Sequence, residues 1–432
     1  MRNLKQTLPV KSLTLLLTMV CAYTSTFANA QTTAITNATV YTATDQGTLN
    51  NATVIIENGK IAAINPTSIT ADTIVDAKGK ILTPGFIGSM NQLGLVEVGA
   101  VSRTRDASDK KADITFDASL AFNPQSTVIP YSRKGGLTRN IVTPRGGESM
   151  FKGHAFAVNL SASFNSVMDT KSAVLLDLGA KSKGSRAFEL QMLGNKLEDA
   201  AKKLAKLDEK AADKKAAKDE GKQSDKKGDE PKRDEIIINS LLEGEKPLLV
   251  YADRATDLLA LIKLKKQYNL KLIIVGAADA ELVGEQLAKE NVTVILNAMR
   301  NLPGSFDSLH TSLNSAANLT AAGVKVILSV NDTHNIYQLR FNAGNAIANG
   351  LSTEDALASI TANVADSFAL NTGRIATGYD ADLVLWSADP FELSSKVDKM
   401  WIIGEEVSTQ SRQDALRHRY TTKSAMPRAY TK

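Results

Sequence analysis

The chain has 432 residues, a formal net charge of +5 and 43% hydrophobic residues. This composition is typical of a globular protein with a buried core and excludes a chain disordered throughout. The first 30 residues carry three of the positive charges, so the rest of the chain is nearly neutral and gives no support to nucleic-acid binding. The only cysteine, Cys21, lies in the same segment, which excludes disulfides and thiolate metal sites from the remainder.

The first predicted element is a secretory signal peptide over residues 1–30. A basic start precedes an apolar stretch at residues 13–22, and the small residues Ala28 and Ala30 stand before the predicted cleavage point. This stretch is too short to span a bilayer, and no later segment is apolar enough to do so. We therefore expect an exported protein, periplasmic or secreted, with no membrane span.

A small β unit is predicted next, over residues 31–83. The stretch VIIENGKIAAI places Asn58-Gly59 between two apolar runs, which is a strong hairpin signal. From Pro247 onward strand and helix patterns alternate, which predicts right-handed crossovers and a parallel sheet. Near the C-terminus GRIATGYDADLVLW and VDKMWIIGEEV return to strands, and a basic tail follows over residues 411–432.

A charged segment interrupts this pattern over residues 198–235. Its acidic and basic residues balance, and their spacing supports a solvated helix in the first half, whereas the second half has too few apolar groups to order itself. We expect an exposed insertion. It could serve as a substrate lid or a partner-docking element, or it could be a surface insertion without a function of its own.

Four stretches of the sequence resemble the amidohydrolase superfamily. They are VIIENGKIAAI with VDAKGKILTPGFI, then VYADRATD, SVNDTHN and GRIATGYDADLVLW. The resemblance implies an α/β fold, a (β/α)8 TIM-like barrel over residues 84–373 with a small β-sandwich built from residues 31–83 and 374–410. Exported relatives of imidazolonepropionase and of dipeptide-cleaving enzymes look most similar, which implies hydrolysis of cyclic amides or short peptides.

The same resemblance implies where zinc or a similar divalent metal would bind. Members of the family carry His-x-His at the end of the first barrel strand, with an Asp two residues before it. In GFIGSMNQLGL, Gly88 stands at the Asp, and Met90 and Gln92 stand at the two histidines. A thioether and an amide do not replace two imidazoles at a hydrolytic metal.

The remaining ligand positions implied by the resemblance also lack the family residues. Tyr251 and Gly276 stand at the two further histidines, and Leu176 or Asp177 is nearest to the bridging lysine. The last ligand, an Asp after the eighth strand, falls on Asn331, or on Asp332 after a slip of one residue. The sequence thus predicts no metal site and no cofactor.

Four histidines remain outside the predicted signal peptide. His310 and His418 are expected at the surface, and His154 stands at a turn before a strand from which it could reach the pocket. Asp332 and His334 follow the eighth strand and are candidate catalytic residues, a general base with an orienting carboxylate. The alternative is a hydrogen bond that only packs the loop.

Two further features concern the pocket. Gln92, Tyr251 and Asn331 are candidate substrate-binding residues that we expect to converge with the Asp332–His334 pair at the barrel mouth and to form a hydrogen-bonded network. Arg145, with Gly146 and Gly147 after it, could form an anion-holding loop or an ordinary tight turn.

Two classes of function follow. The chain is either a hydrolase of C–N bonds with a rearranged or metal-independent site, or an amidohydrolase-like protein that has lost the metal mechanism. A protein of the second class would bind a small amide or peptide, or would pair with a paralogous amidohydrolase subunit or with a second copy of itself.

Overall fold

The computed structural model describes residues 32–178, 185–219 and 231–422, and it describes side chains for all of these except 208–219. The predicted signal peptide therefore lies outside the described residues. The same holds for part of the charged segment and for the last ten residues of the basic tail. The predicted domain boundaries stay predictions.

Sixteen strands and ten helices make up the described chain. The strands are β1 Thr33–Tyr41, β2 Thr48–Glu57, β3 Lys60–Ile64, β4 Thr73–Asp76, β5 Ile81–Pro84, β6 Phe86–Asn91, β7 Leu137–Val142, β8 Phe151–Asn159, β9 Val167–Asp177, β10 Pro247–Ala252, β11 Lys271–Gly276, β12 Thr293–Leu296, β13 Val326–Leu328, β14 Leu383–Trp386, β15 Val397–Ile402 and β16 Glu405–Glu406. The helices are α1 Val128–Arg133, α2 Arg186–Asp219, α3 Arg233–Leu242, α4 Ala255–Tyr268, α5 Gly284–Lys289, α6 Ser315–Ala321, α7 Leu339–Ala348, α8 Thr353–Ser359, α9 Ala362–Ser367 and α10 Arg412–Thr421.

One sheet, which we call the terminal sheet, combines both ends of the chain. Its order is β16-β15-β14-β5-β1-β2-β3, and β4 pairs with β1. The predicted hairpin is confirmed, because β2 and β3 pair around Asn58 and Gly59, and both residues have positive φ. The two ends join where β5 pairs with β14. The strands expected to form a sandwich thus lie in one hydrogen-bonded sheet.

The second sheet, the barrel sheet, is curled and consistent with a TIM-like barrel. Its order is β13-β12-β11-β10-β9-β8-β7-β6. Seven strands run in parallel, but β8 is antiparallel to both β7 and β9. The expectation of eight parallel strands is therefore wrong at the third strand. No crossover is required there, because antiparallel neighbours can be joined by short turns.

Along the barrel strands, successive side chains point alternately into two different hydrophobic cores. Ile87, Ile141, Leu249, Ile273 and Ile295 belong to a cluster within the curl of the sheet. Their neighbours in sequence pack instead into the larger core that includes the helices. Strands buried on both faces read as continuous apolar runs, which is why the sequence predicts parallel strands here so clearly.

A buried ion-pair cluster, the junction, connects the two sheets. The guanidinium of Arg139 on β7 donates through Nε to Asp382 and through Nη2 to Asp380, the latter at 2.8 Å. Asp382 also accepts from the Thr372 hydroxyl at 2.9 Å and from the Ile403 amide at 2.8 Å. The two Asp residues of GRIATGYDADLVLW, Asp380 and Asp382, therefore hold the terminal sheet onto the barrel.

Helix α2 begins at the barrel and extends into the charged segment. Leu193 and Leu197 are buried, whereas Leu207 is exposed. The Lys203 ammonium pairs with Glu235 of the neighbouring helix α3 at 2.7 Å. The predicted helical first half is thus confirmed, and its base packs on the barrel. Among the described residues we find no helix with the length and apolar character needed to cross a membrane.

Candidate functional site

A cavity of about 760 Å³ opens where the parallel barrel strands end. Gln92, Tyr251, Asn331 and Asp332 line it, as predicted, although they come from three distant parts of the sequence. Met90 and Gly276 line the same cavity, as does Asp177. The structure therefore brings together the positions that the family resemblance assigns to a metal site. This is the face on which barrel enzymes carry their active sites.

His334, which was expected to lie with these residues, is not among those that line the cavity. Its Nδ1 lies 4.0 Å from Asp332 Oδ1, and its Nε2 lies 2.8 Å from the Glu97 carbonyl oxygen. The Asp332 carboxylate instead accepts from the His334 amide at 3.0 Å and from the Asn335 side chain at 2.7 Å. This is the geometry of a helix cap, so the pair does not form the hydrogen bond that a general base and its orienting carboxylate require.

The expected network among the cavity side chains is also replaced by local bonds. Asn331 Oδ1 accepts from the Ser329 hydroxyl at 3.2 Å, and the Gln92 amide donates to the Thr333 hydroxyl at 3.1 Å. These bonds connect each residue with its own surroundings. The side-chain amide of Gln92 and the phenol of Tyr251 have no hydrogen-bond partner among the described residues, which leaves them for a ligand.

Tyr251 lies beside Asp177, because their strands β10 and β9 place them in register. Burial raises the pKa of the Tyr251 phenol above its usual value, the Asp177 carboxylate adds to the rise, and Arg145 opposes it. A phenol with a raised pKa keeps its proton at neutral pH. Tyr251 can therefore donate a hydrogen bond to an oxygen in the cavity.

Asp253 lines the cavity two residues beyond Tyr251. Burial raises the pKa of its carboxyl group, whereas a hydrogen bond from the Ala278 amide and the charge of Arg300 oppose the rise. Asp253 Oδ1 also stands close to Gly276: a Cβ at Gly276 would lie 2.6 Å from it, and the glycine has a φ of +92°. This metal position therefore has no room for a histidine unless Asp253 moves.

The first barrel strand, β6, also leaves no room for a metal-binding side chain. A Cβ at Gly88 would lie 2.4 Å from Asn140 Oδ1. Asn140 is fixed by a reciprocal pair of side-chain hydrogen bonds with Asn91, at 2.9 and 3.0 Å. Met90 has a φ of +61°, which is rare for a residue with a side chain, and it is fully buried. A metal-binding residue could therefore not replace Gly88 or Met90 without changes in the surrounding structure.

The cavity does not fit the divalent metal that the resemblance implies. At the four positions to which the resemblance assigns histidine ligands stand a thioether, an amide, a phenol and a glycine that has no side chain. Within residues 32–178, 185–219 and 231–422, no three His, Cys, Asp or Glu side chains form a group that could hold a metal ion. Tight hydrolytic sites use imidazole and carboxylate ligands held by further hydrogen bonds.

Sequence reasoning missed several charged residues of the cavity. Asp253 follows a predicted strand directly, which is the signal that could have identified it. Arg300 and Asp307 lie on a longer connection, and Arg186, the first residue of α2, pairs with Asp307. Lys152 was missed because it is the second residue of the antiparallel strand β8, whose first residues lie at the mouth.

The Arg145 loop has the form of a constrained turn with one free side chain. Gly146 has a φ of +64°, and a Cβ there would lie 2.4 Å from Lys152 Cα. The Lys152 ammonium donates to the carbonyl oxygens of Gly147 and Ser149, at 3.1 and 2.8 Å. The glycines thus serve the turn, while the exposed Arg145 guanidinium lines the cavity.

Comparisons with known sequences agree with this architecture. Residues 207–407 match the amidohydrolase family. The chain is 23% identical over 398 residues to the amidohydrolase tasK of Hapsidospora irregularis, covering 81% of this chain and 39% of that protein. Over 46 residues it is 48% identical to a 5'-deoxyadenosine deaminase of Methanosarcina barkeri, which is 10% of this chain and 11% of that protein. The chain thus spans well under half the length of these curated relatives.

Solved structures share the fold. An amidohydrolase from Thermotoga maritima superposes with a TM-score of 0.75 at 24% identity, covering 88% of this chain and all of that one. A beta-aspartyl dipeptidase from Fervidobacterium islandicum superposes with a TM-score of 0.55 at 14% identity, covering 89% of this chain and 99% of that one. Residues 207–407 thus match the amidohydrolase family model, and the chain shares the fold of these solved structures.

Proposed function

We propose that this chain binds a small amide or a short peptide in the mouth cavity and does not use a metal-bound hydroxide. The observation that carries the proposal is the set of side chains at the former ligand positions. Met90, Gln92, Tyr251 and Gly276 line the cavity together, but they supply no imidazole. The structural neighbours include an amidohydrolase and a beta-aspartyl dipeptidase, which supports the ligand class.

The cavity has the groups that an amide needs. The Tyr251 phenol donates to a carbonyl oxygen, and Gln92 and Asn331 offer amide groups that both donate and accept. Met90, Leu175, Val275 and Ile295 supply an apolar floor. The cavity thus combines an apolar floor with polar and charged walls, and its volume of about 760 Å³ lies within the usual range for a small-molecule site.

Metal analysis tests the first half of the proposal. We expect the chain, purified without chelator, to contain far less than one zinc, iron or manganese ion per molecule. Inductively coupled plasma mass spectrometry measures this content. Calorimetric titration with a panel of dipeptides and cyclic amides tests the second half. One tightly held metal per chain, with binding that is lost when it is removed, would contradict the proposal.

A variant assigns the binding to this cavity. Tyr251→Phe removes one donor, and we expect it to weaken the affinity for the best ligand about fivefold, because a hydrogen bond is worth about 1 kcal/mol. Tyr420→Phe is the matched control, since Tyr420 is exposed on α10. Equal effects of the two changes would show that the ligand binds elsewhere.

We also propose that the chain is exported, on the signal-peptide pattern of residues 1–30. Fractionation of the native cells, followed by N-terminal sequencing, tests this, and we expect the protein outside the cytoplasm to begin at Gln31. The mass of the native complex in the same preparation tests whether a second copy or a paralogous subunit accompanies the chain. An intact N-terminus on soluble cytoplasmic protein would contradict the proposed export.

A further inference from the structure

A second histidine–aspartate pair lies at the rim of the mouth cavity. His310 Nδ1 and Asp279 Oδ1 are 2.7 Å apart, a short charge-assisted hydrogen bond. The two residues are 31 positions apart in the sequence, and no motif connects them. Sequence reasoning expected His310 only at the surface.

The Asp279 carboxylate is itself held in place. Its Oδ2 accepts a hydrogen bond of 3.0 Å from the Ala255 amide at the start of helix α4. One oxygen thus anchors the carboxylate to the barrel, and the other orients the imidazole. With Nδ1 donating to Asp279, Nε2 carries the lone pair. His310 Nε2 has no hydrogen-bond partner among the described residues, and 58% of the side chain is exposed.

His310 and Asp279 are not themselves lining residues of the cavity, but their neighbours are. Ala277 and Ala278 line it immediately before Asp279, and Asp307 and Thr311 line it on either side of His310. The loop is fixed by the ion pair between Arg186 and Asp307 and by the Ser308 hydroxyl, which accepts from the Gly304 amide at 3.0 Å. The loop that carries His310 is therefore held in place next to the cavity wall.

The charges at this rim act on one another. Arg300, Asp307 and Asp279 all influence the pKa of Asp253 inside the cavity, Arg300 lowering it and the two carboxylates raising it. They therefore share one electrostatic neighbourhood with the cavity wall.

The two histidine–aspartate pairs of the molecule differ in the feature that proton transfer needs. In the Asp332–His334 pair, Nε2 faces the Glu97 carbonyl oxygen and Nδ1 is 4.0 Å from the carboxylate. In the Asp279–His310 pair, the carboxylate bond is made and Nε2 is open. A general base requires the second arrangement.

We propose that His310, oriented by Asp279, is the proton-transfer residue of a metal-free hydrolysis of amides bound in the mouth cavity. The inference rests on the proposed function, because it takes the cavity as the binding site. Nε2 removes a proton from a water molecule as the water oxygen bonds to the amide carbonyl carbon. The imidazolium, stabilised by Asp279, then gives that proton to the amide nitrogen as the C–N bond breaks, so the products are a carboxylic acid and an amine.

Chromogenic anilides test the proposal directly. With L-alanine p-nitroanilide and p-nitroacetanilide as probes, we expect wild-type hydrolysis that resists a chelator and a loss of about 100-fold in kcat/KM in His310→Gln, the lower end of the usual range for a general base. His334→Gln is the matched control and should keep the wild-type rate. The melting temperature should not change in either variant, because both side chains are largely exposed.

Asp279 is a positioning residue, so its test needs a readout other than rate. In Asp279→Asn the nitrogen chemical shifts of the His310 ring, measured by NMR at alkaline pH, should move towards a mixture of the two tautomers, because the carboxylate no longer fixes the proton on Nδ1. Modification of His310 by diethyl pyrocarbonate should be blocked by a bound dipeptide, while modification of His418 should not.

The outcomes separate the two proposals. Ligand binding without any hydrolysis above the His310→Gln background would overturn the dyad and leave the proposed function standing. Hydrolysis that a chelator abolishes would overturn both. Absence of ligand binding in the calorimeter, whatever the anilide rates, would overturn the proposed function.

Discussion

The junction and the mouth cavity are both polar clusters within the same barrel, but they use their polar groups differently. At the junction, Asp382 accepts three hydrogen bonds and Arg139 donates to two carboxylates. At the mouth, the Tyr251 phenol and the Gln92 side chain have no hydrogen-bond partner among the described residues. The junction uses most of its bonding capacity within the protein, although Arg139 Nη1 has no partner among the described residues, and such clusters maintain a fold. Polar groups left with bonding capacity at a cavity are available to a ligand.

Removing a junction carboxylate should therefore have the largest effect on stability. We expect Asp382→Ala to lower the free energy of unfolding by about 3 kcal/mol, because the buried Arg139 charge keeps only Asp380 as a partner and the Thr372 hydroxyl and the Ile403 amide lose their acceptor. Urea unfolding measures this. Asp398→Ala, which breaks an exposed pair with Lys80, should cost less than about 1 kcal/mol. Similar losses in both variants would break the comparison.

His154 adds a third environment to the comparison, since it is fully buried on β8 and neither ring nitrogen has a hydrogen-bond partner within the part of the chain that the structure describes. Burial lowers its pKa from 6.5 to about 4; Lys246 and Lys171 add to the fall, and Asp117 and Asp169 oppose it. Between these values the unfolded chain binds a proton that the folded chain does not. Stability should therefore fall as the pH falls through this window.

The size of this effect can be isolated by substitution. Between pH 7 and pH 4, wild type should lose up to about 3 kcal/mol more than His154→Leu, from the shift in pKa. Chemical denaturation at a series of pH values measures it, and His418→Gln serves as the exposed control. The same pH dependence in wild type and His154→Leu would show that His154 does not titrate as the structure indicates.

A substitution at Gly276 tests whether the cavity has room for a side chain at this position. Gly276→Ala adds a Cβ 2.6 Å from Asp253 Oδ1 at a φ of +92°, and we expect a loss of about 1–3 kcal/mol. Gly378→Ala is the matched control, because its φ is +89° and its Cβ would meet nothing within 4 Å. The difference between the two losses, measured by thermal unfolding, is the steric part. Equal losses would remove the argument that this metal position is closed.

The smallest effect is expected in the charged segment. Deletion of residues 202–233 with a short Gly/Ser bridge should change the melting temperature little, because the buried residues of α2 that anchor it, such as Leu193 and Leu197, come earlier. The lost Lys203–Glu235 pair is exposed and adds little. Differential scanning calorimetry measures the change. A large fall would show that the segment packs on the barrel.

Much of the fold was predictable because it depends on local patterns. Asn58-Gly59 specifies a hairpin, and apolar strands followed by amphipathic helices specify the parallel half of the barrel. The antiparallel course of β8 was not predictable, because an apolar run such as AFAVNL has the same composition in either direction. The pairing of Arg139 with Asp382 was not predictable either, since 243 residues separate them.

The candidate site likewise has a part that the sequence predicts and a part that it does not. The convergence of Gln92, Tyr251 and Asn331 follows from the rule that parallel strands end on one face, and the family resemblance gave their positions. The bond between His310 and Asp279 depends on how two long loops pack, which no periodicity encodes. Asp332 and His334, close in sequence, suggested a pair that the helix cap prevents.

The pairing of β5 with β14 has a consequence for how the molecule is made. β5 ends at Pro84 and β14 begins at Leu383, so during synthesis one edge of the terminal sheet lacks its neighbour until nearly the whole chain has been translated. An unpaired strand edge is a template for wrong pairing. The meander β7–β8–β9 needs no distant partner, and we expect it to form early, because contacts close in sequence form fastest. Ribosome-bound chains stopped before Leu383 should therefore be the most prone to aggregate.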